Sequence, residues 1–424
     1  MIFNYLYIEN FKSIKSMELS LGNLAIIIGA NASGKSNFIS IFRFISNIVN
    51  YGLDNAISLL GGIDYTVNTS IGKTKPIKIK FNIDFSDNDW IRIIDKKKRK
   101  ELKLISIIND FEITPHMKGQ GYRISKDELT IKYEVIEPQE VADIENNLGH
   151  MNSNPKFVEV VLKKGTKTYT STIKNDHVFK ELDLKKMLGF EYVIRFANEN
   201  KKELLLNLLD FFLPPFVYTK DIIKIFDFDP KLLKKASSIK SLNSLEEDGS
   251  NLANVLQVIL KNREEKQKLV NLLSDCLPFI DKINVEKNID RSISFKVCEK
   301  YNNKYFHSSF ISDGTVNVIA IIVALYFTDK GRVVILEEPE RNLHPKLMDS
   351  LIEMAKEASS RRQVIITTHN PELIKHADIE DVILARRCSS GFTSLVKAND
   401  DSTVNKFLND EICLSDLYVD NMLG

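Results

Sequence analysis

Gly29-Ala30-Asn31-Ala32-Ser33-Gly34-Lys35-Ser36 follows directly on the apolar run Leu24-Ala25-Ile26-Ile27-Ile28. Two glycines four residues apart, then Lys and Ser, form the Walker A pattern, in which a buried strand ends in a phosphate loop. Downstream, Phe38, Ile41, Phe42, Ile45, Ile48 and Val49 recur at helical spacing, so the loop opens a helix. The free N–H groups and dipole of that helix face an anion. Gly29, Asn31, Ala32, Ser33, Gly34, Lys35, Ser36 and Asn37 are therefore the candidate phosphate-binding residues. Lys35 supplies the point charge, and the Ser36 hydroxyl is placed to hold magnesium.

A phosphate loop needs an acid for the metal, a base for the attacking water and a group that senses the terminal phosphate. Arg332-Val333-Val334-Ile335-Leu336 reads as a buried strand ending in Glu337-Glu338-Pro339-Glu340, where Pro339 turns the chain out of the sheet. Glu337 is expected at the metal and Glu338 as the base. A second strand, Gln363-Val364-Ile365-Ile366-Thr367-Thr368, ends in His369, a candidate γ-phosphate switch. Ser312-Asp313-Gly314-Thr315 precedes an apolar helix with Val316, Ile319, Val323 and Tyr326. A Ser and a Gly at a helix start make a second anion site, with Ser312 and Gly314 as its contacts.

This order of motifs resembles the ABC-type ATPases, and more closely the AAA-annotated ATPases related to RecF and to the overcoming-lysogenization-defect (OLD) proteins. The similarity runs through Tyr7 to Ile14 as a first strand and through Ser312 to Thr315 as a variant signature. It continues through Glu338-Pro339-Glu340 to Leu343-His344-Pro345 as Walker B and D-loop. Asp248 to Leu252 and Leu414 to Tyr418 also match segments of that group. The resemblance implies ATP and Mg²⁺ as cofactors and a head-to-tail homodimer in which Ser312 and Gly314 close over ATP on the other subunit. Two departures stand out. Glu337 replaces the more usual Asp, and the first Gln after Ser36 is Gln120, which leaves the Q-loop contact unassigned.

The 424 residues correspond to roughly three domain-sized units. With 58 Lys and Arg against 57 Asp and Glu, the net charge of +1 gives no global attraction to nucleic acid. Lys96-Lys97-Lys98-Arg99-Lys100 is the one local basic run, a solvated loop by default. Cysteines at 276, 298, 388 and 413 form no Cys-x-x-Cys pair, as expected in a reducing compartment. Met1 to Asn10 does not read as a signal peptide, and Val316 to Phe327 is too short to span a bilayer. A cytoplasmic protein with no membrane partner is expected.

The fold expected is α/β: a P-loop NTPase with an ABC-type ATPase core, an antiparallel β layer and an inserted helical lid. Residues 1–90 are the N-terminal part of the core, 91–178 the β layer, 179–280 the lid and 281–424 the rest of the core. Ile77 to Phe85 alternates strictly, and Leu129 to Val135, Phe157 to Leu162 and Thr168 to Ile173 do so over shorter runs. Glu203 to Phe212 and Leu252 to Leu273 read as helices, with Pro214, Pro215 and Pro230 as breaks; Ile293, Phe295 and Val297 then alternate back towards the core. No sustained heptad repeat supports long coiled-coil arms. Asp227 and Asp229 read as a loop before Pro230 rather than as a metal site.

About 55 residues follow His369, too few for the topoisomerase-primase-type nuclease of OLD proteins. The function expected is an ATP-hydrolysing switch that controls a separate effector, a nuclease or toxin, or else DNA, with bacterial antiphage defence as the setting. RecF-like repair is the alternative, a transporter subunit is weaker, and a nucleotide-dependent scaffold with negligible turnover is the rival from another class.

Overall fold

A computed structural model describes residues 1–85, 92–95, 100–136, 156–166, 168–175, 190–200, 202–208, 221–239, 244–301, 304–328, 332–401, 404 and 418. By their contacts the residues separate into two compact units. The first comprises 1–22, 40–222 and 388–394; the second comprises 23–39, 223–387 and 395–424. The chain opens with the antiparallel hairpin β1 (Ile2–Phe11) and β2 (Ile14–Ser20), then β3 (Leu24–Ile28) and the helix α1 (Lys35–Tyr51).

The first unit is an antiparallel layer. After β1 and β2 come β4 (Ile77–Asp84), β5 (Arg92–Asp95), β6 (Lys100–Pro115), β7 (Tyr122–Ile136), β8 (Lys156–Lys164) and β9 (Tyr169–Asn175). They pair in the order β2-β1-β4-β6-β7-β8-β9, with β5 on β6. In β4 burial alternates residue by residue, Ile77, Ile79, Phe81 and Ile83 facing in and the lysines between them less buried, the pleat of a half-covered sheet. Phe3 packs against Phe42 and Phe81 with ring centroids 5.5 and 5.4 Å apart. The expected runs at 77–85, 129–135, 157–162 and 168–173 thus lie on β4, β7, β8 and β9. A helix, α2 (Phe190–Glu199), and a 3₁₀ turn, Leu205–Leu208, follow. The turn occupies part of a stretch expected to be α-helical.

The second unit is a parallel sheet with helices. Its strands β10 (Ile223–Phe226), β15 (Val333–Glu337), β16 (Gln363–Thr368), β3 and β17 (Val382–Arg387) lie in the order β10-β15-β16-β3-β17. All four pairings are parallel. Near-continuous burial of β3, β15 and β16 is what a parallel strand covered on both faces requires. A second, antiparallel sheet consists of β11 (Ser237–Ser238), β12 (Ile280–Lys287), β13 (Ser292–Glu299) and β14 (Tyr305–His307) around β13.

The helices of this unit are α3 (Leu252–Lys261), α4 (Arg263–Cys276), α5 (Asp313–Tyr326) and α6 (Met348–Ser359). One hydrophobic core joins Ile26, Leu336 and Ile366 of the parallel sheet to Leu256, Leu273, Ile319 and Leu351 of these helices. Two local expectations change. Ile223–Phe226 is a strand paired with β15, inside a stretch read as helical. Leu252 to Leu273 is two helices, because Asn262 is extended and caps the second through Glu264 and Glu265 N–H. Lys96 to Arg99, Pro214, Pro215 and Leu414 to Leu417 lie outside the described residues.

Candidate functional site

The second unit brings together what the sequence spreads over more than three hundred residues. Parallel registry sets Ile28 beside Thr368, and Thr367 beside Glu337, so the C-terminal ends of β3, β16 and β15 form one edge. In open α/β sheets the carboxyl edge of the strands is where ligands bind. Gly29 N–H donates to Thr368 O at 3.3 Å, and Ser33 N–H to Ala30 O at 3.1 Å, closing the loop before α1 begins at Lys35. Gly29 is required by space. A Cβ there would lie 2.4 Å from the Ala385 carbonyl oxygen.

Lys35 is buried, and its ammonium donates to Gly29 O at 2.6 Å and Ala30 O at 3.1 Å. Burial pushes its pKa down, against the opposing pull of the Glu338 and Glu340 carboxylates. Lys35 therefore feels both acids of the β15 turn. Asn31, Ala32 and Ser36 are exposed, Gly34 and Asn37 are half-buried and Ser33 is buried. A left-handed backbone at Ala32 and Gly34 shapes the cradle.

Glu337 ends β15, and Glu338 follows with φ of 46°, its N–H donating to Thr367 O at 2.8 Å. That uncommon conformation turns the side chain out of the strand's alternation. One Glu338 oxygen, Oε2, accepts from Arg341 Nε at 2.9 Å; the other, Oε1, lies 3.2 Å from His369 Nδ1. Burial raises the pKa of this carboxyl, but Arg341 and His369 together outweigh it and hold the group below the ordinary glutamate range. Glu338 is an anion at neutral pH.

Glu340 is the opposite case. It is 5% exposed, accepts from Thr368 Oγ1, and burial raises its pKa. A cavity of about 540 Å³ beside it is lined by Glu340, Arg341, Asn342, His369, Asn370 and Pro371.

Ser312 caps α5, its Oγ accepting from Thr315 N–H at 3.2 Å, while Asp313 pairs with Lys234. The local role of Ser312 is thus a helix cap, and its exposure leaves it accessible at the helix start. Gly314 packs on the turn after β15: a Cβ there would lie 2.6 Å from Asn342 O. From the next turn of α5, buried Asn317 donates through Nδ2 to Pro339 O and Arg341 O, both at 2.9 Å. α5 and the turn after β15 are thus one hydrogen-bonded assembly.

Sequence reading brought Lys35, Glu337, Glu338 and His369 to this edge. It missed Arg341, Asn317 and the buried state of Glu340, which lie in or face the Walker B turn. It also gave Asp227 no role beyond a loop. Asp229 does cap the short helix Pro230–Leu233, but Asp227 accepts from Arg341 Nη1 at 2.7 Å. Among the described residues no helix is long and apolar enough to cross a membrane.

The residues present fit a magnesium nucleotide. The glycine-containing loop and the start of α1 present backbone N–H groups, and Lys35 donates to the Gly29 and Ala30 carbonyls, which it can exchange for phosphate oxygens. Comparison with known families agrees on the nucleotide-binding domain. Residues 24–103 and 163–375, more than half of the chain, match the family model described as "AAA domain, putative AbiEii toxin, Type IV TA system". No curated protein matches the sequence.

Solved structures that align include an SMC head bound to the C-terminal winged-helix domain of ScpA, at 13% identity and TM-score 0.49. The alignment covers 93% of this chain and 97% of that one. The SMC head domain of Thermotoga maritima aligns at 13% identity and TM-score 0.43, over 94% and 99%. A Pyrococcus furiosus SMC head with an extended coiled coil, bound to the C-terminal domain of ScpA, aligns at 13% identity and TM-score 0.46, over 96% and 99%.

Proposed function

The chain belongs to this AAA-domain family of P-loop ATPases, and from that premise we propose that it binds and hydrolyses ATP and dimerises around it to control a partner effector. The observation that carries the reading is Glu338. A carboxylate directly after β15, on the same sheet edge as the loop after β3 and held at both oxygens by Arg341 and His369, is what a base for the attacking water requires. A scaffold that only holds nucleotide has no use for it.

In this reading Gly29 and Asn31 to Asn37 wrap the phosphates, and Lys35 leaves the Gly29 and Ala30 carbonyls for phosphate oxygens. Ser36 and Glu337 would hold magnesium, which would supply charge neutralisation for the phosphates. Glu338 takes a proton from the attacking water, and His369, beside Glu338 Oε1, contacts the terminal phosphate. Ser312 and Gly314, at the start of α5, engage ATP bound to a second copy. Because α5 is hydrogen-bonded to the Walker B turn through Asn317, closure at one end is felt at the base.

Antiphage defence is the biological setting we propose, supported by the toxin–antitoxin system named in the family's description; a separate toxin or nuclease as the controlled effector is part of the proposal. The test is the solution mass of Glu338→Gln with ATP and magnesium. A dimer that forms only with nucleotide, and that Ser312→Arg prevents, is expected. A monomer at saturating ATP with bound nucleotide contradicts the switch.

A further inference from the structure

We propose that Asp227 and Arg341 are positioning residues that hold the Glu338 carboxylate in its working orientation; the role rests on the hydrolytic reading above. The guanidinium of Arg341 bridges two acids that directly follow different strands, β15 and β10. Its Nε donates to Glu338 Oε2 at 2.9 Å and its Nη1 to Asp227 Oδ1 at 2.7 Å. With His369 Nδ1 at 3.2 Å from Oε1, the carboxylate is held at both oxygens. A glutamate has three side-chain torsions, and a base must be held near its attack geometry to act.

Each support of the bridge is itself fixed. Asp227 directly continues β10, which runs in register with β15, Phe226 beside Leu336. Its N–H donates to Glu247 O at 3.0 Å. Phe226 and Phe228 on either side are buried and stacked at 5.4 Å, so Asp227 between them faces away from that core. Arg341 is pinned at the backbone: its N–H donates to Glu338 O at 3.1 Å, and its carbonyl accepts from Asn317. Neither end of the bridge depends on a floppy segment.

The pair is not built for stability. The side chains of Arg341 and Asp227 are 42% and 45% exposed, and ion pairs at such exposure contribute little to folding. What the geometry does is give one planar fork two carboxylates to span, a task for which lysine is a poor substitute. Asp227 holds one side of the fork, and the other side holds Glu338 Oε2.

The test is steady-state ATP hydrolysis by the full chain, comparing wild type, Asp227→Ala, Asp227→Glu, Arg341→Ala, Arg341→Lys and Glu338→Gln, with thermal melting of each. A loss in kcat of at least about tenfold for Asp227→Ala and Arg341→Ala, with KM within about twofold and melting unchanged, is expected from lost orientation. Asp227→Glu keeps the carboxylate and recovers most of the rate; Arg341→Lys does not. If Glu338→Gln abolishes hydrolysis while both alanine variants keep wild-type kcat or exceed it, the positioning role is overturned and the hydrolytic reading stands. If Glu338→Gln turns over as fast as wild type, both fall.

Discussion

Gly314→Ala separates what this structure says from what helix propensity says. Gly314 lies in the first turn of α5, where alanine in place of glycine would add up to about 1 kcal/mol to helix stability. Against that, the new methyl would sit 2.6 Å from Asn342 O, where carbon contacts are optimal only at about 3.5 Å or more. The obstacle is backbone, in a turn with Asn342 at φ of 62° and both Pro339 O and Arg341 O bonded to Asn317.

Relief requires the turn to move by several tenths of an ångström. Overpacking of this kind costs roughly 1–3 kcal/mol, and each weakened bond of Asn317 about 1 kcal/mol more. Net destabilisation of about 2–4 kcal/mol is therefore expected if both bonds weaken, after the helix-propensity gain is subtracted. Native-state hydrogen exchange of the buried α5 amides, Val316 to Leu325, reads it directly as faster exchange. Because the same turn carries Glu338 and Arg341, kcat should fall as well. An α5 as protected as in wild type, or more so, would refute the packing of Gly314 on the Walker B turn.

Two further outcomes follow from the charged groups. Asp127 in the first unit is buried, accepts from Tyr169 Oη and Leu205 N–H at 2.9 Å each, and burial pushes its pKa up to about 7. A carboxyl raised in the folded state keeps its proton there while the unfolded chain has lost it. Its stabilising contribution is full below about pH 4 and is lost as pH rises through about 7, by on the order of 4 kcal/mol. Melting curves of wild type and Asp127→Asn across that range should therefore diverge, with the variant less sensitive to pH. Lys35→Ala removes a charge-assisted donor to the phosphates and should weaken ATP binding by about 10- to 100-fold, measured by titration calorimetry, with the fold retained.

The strand edge at β3, β15 and β16 was legible because each of its pieces is local in sequence, although the pieces lie far apart. The loop, the strand before it and the helix after it occupy one stretch from Leu24 to Tyr51, and β15 and β16 each announce themselves by a run of buried aliphatics. The antiparallel layer was half legible: β4 alternates cleanly, but β6 does not. Its register against β7 shifts between Leu104 and Ser106, and the adjacent Ser106 and Ile107 are both buried, which breaks the period of two.

Short elements were read by their neighbours. Ile223–Phe226 is four residues long and acquires its identity only from pairing with β15, and Asn262 splits a continuous-looking helix by capping its second half. The Arg341 bridge had no local signal at all. Its two acids lie 3 and 114 residues away, and only the parallel pairing of β10 with β15 brings Asp227 to it.

The central claim, an enzyme that uses Glu338 to turn over bound ATP, is tested most directly by steady-state phosphate release from wild type and Glu338→Gln at saturating ATP and magnesium, with nucleotide binding measured on both. Equal binding and a rate at least about a hundredfold lower in the variant is the expected result, the scale on which removal of a general base acts. Equal rates with equal binding would contradict it.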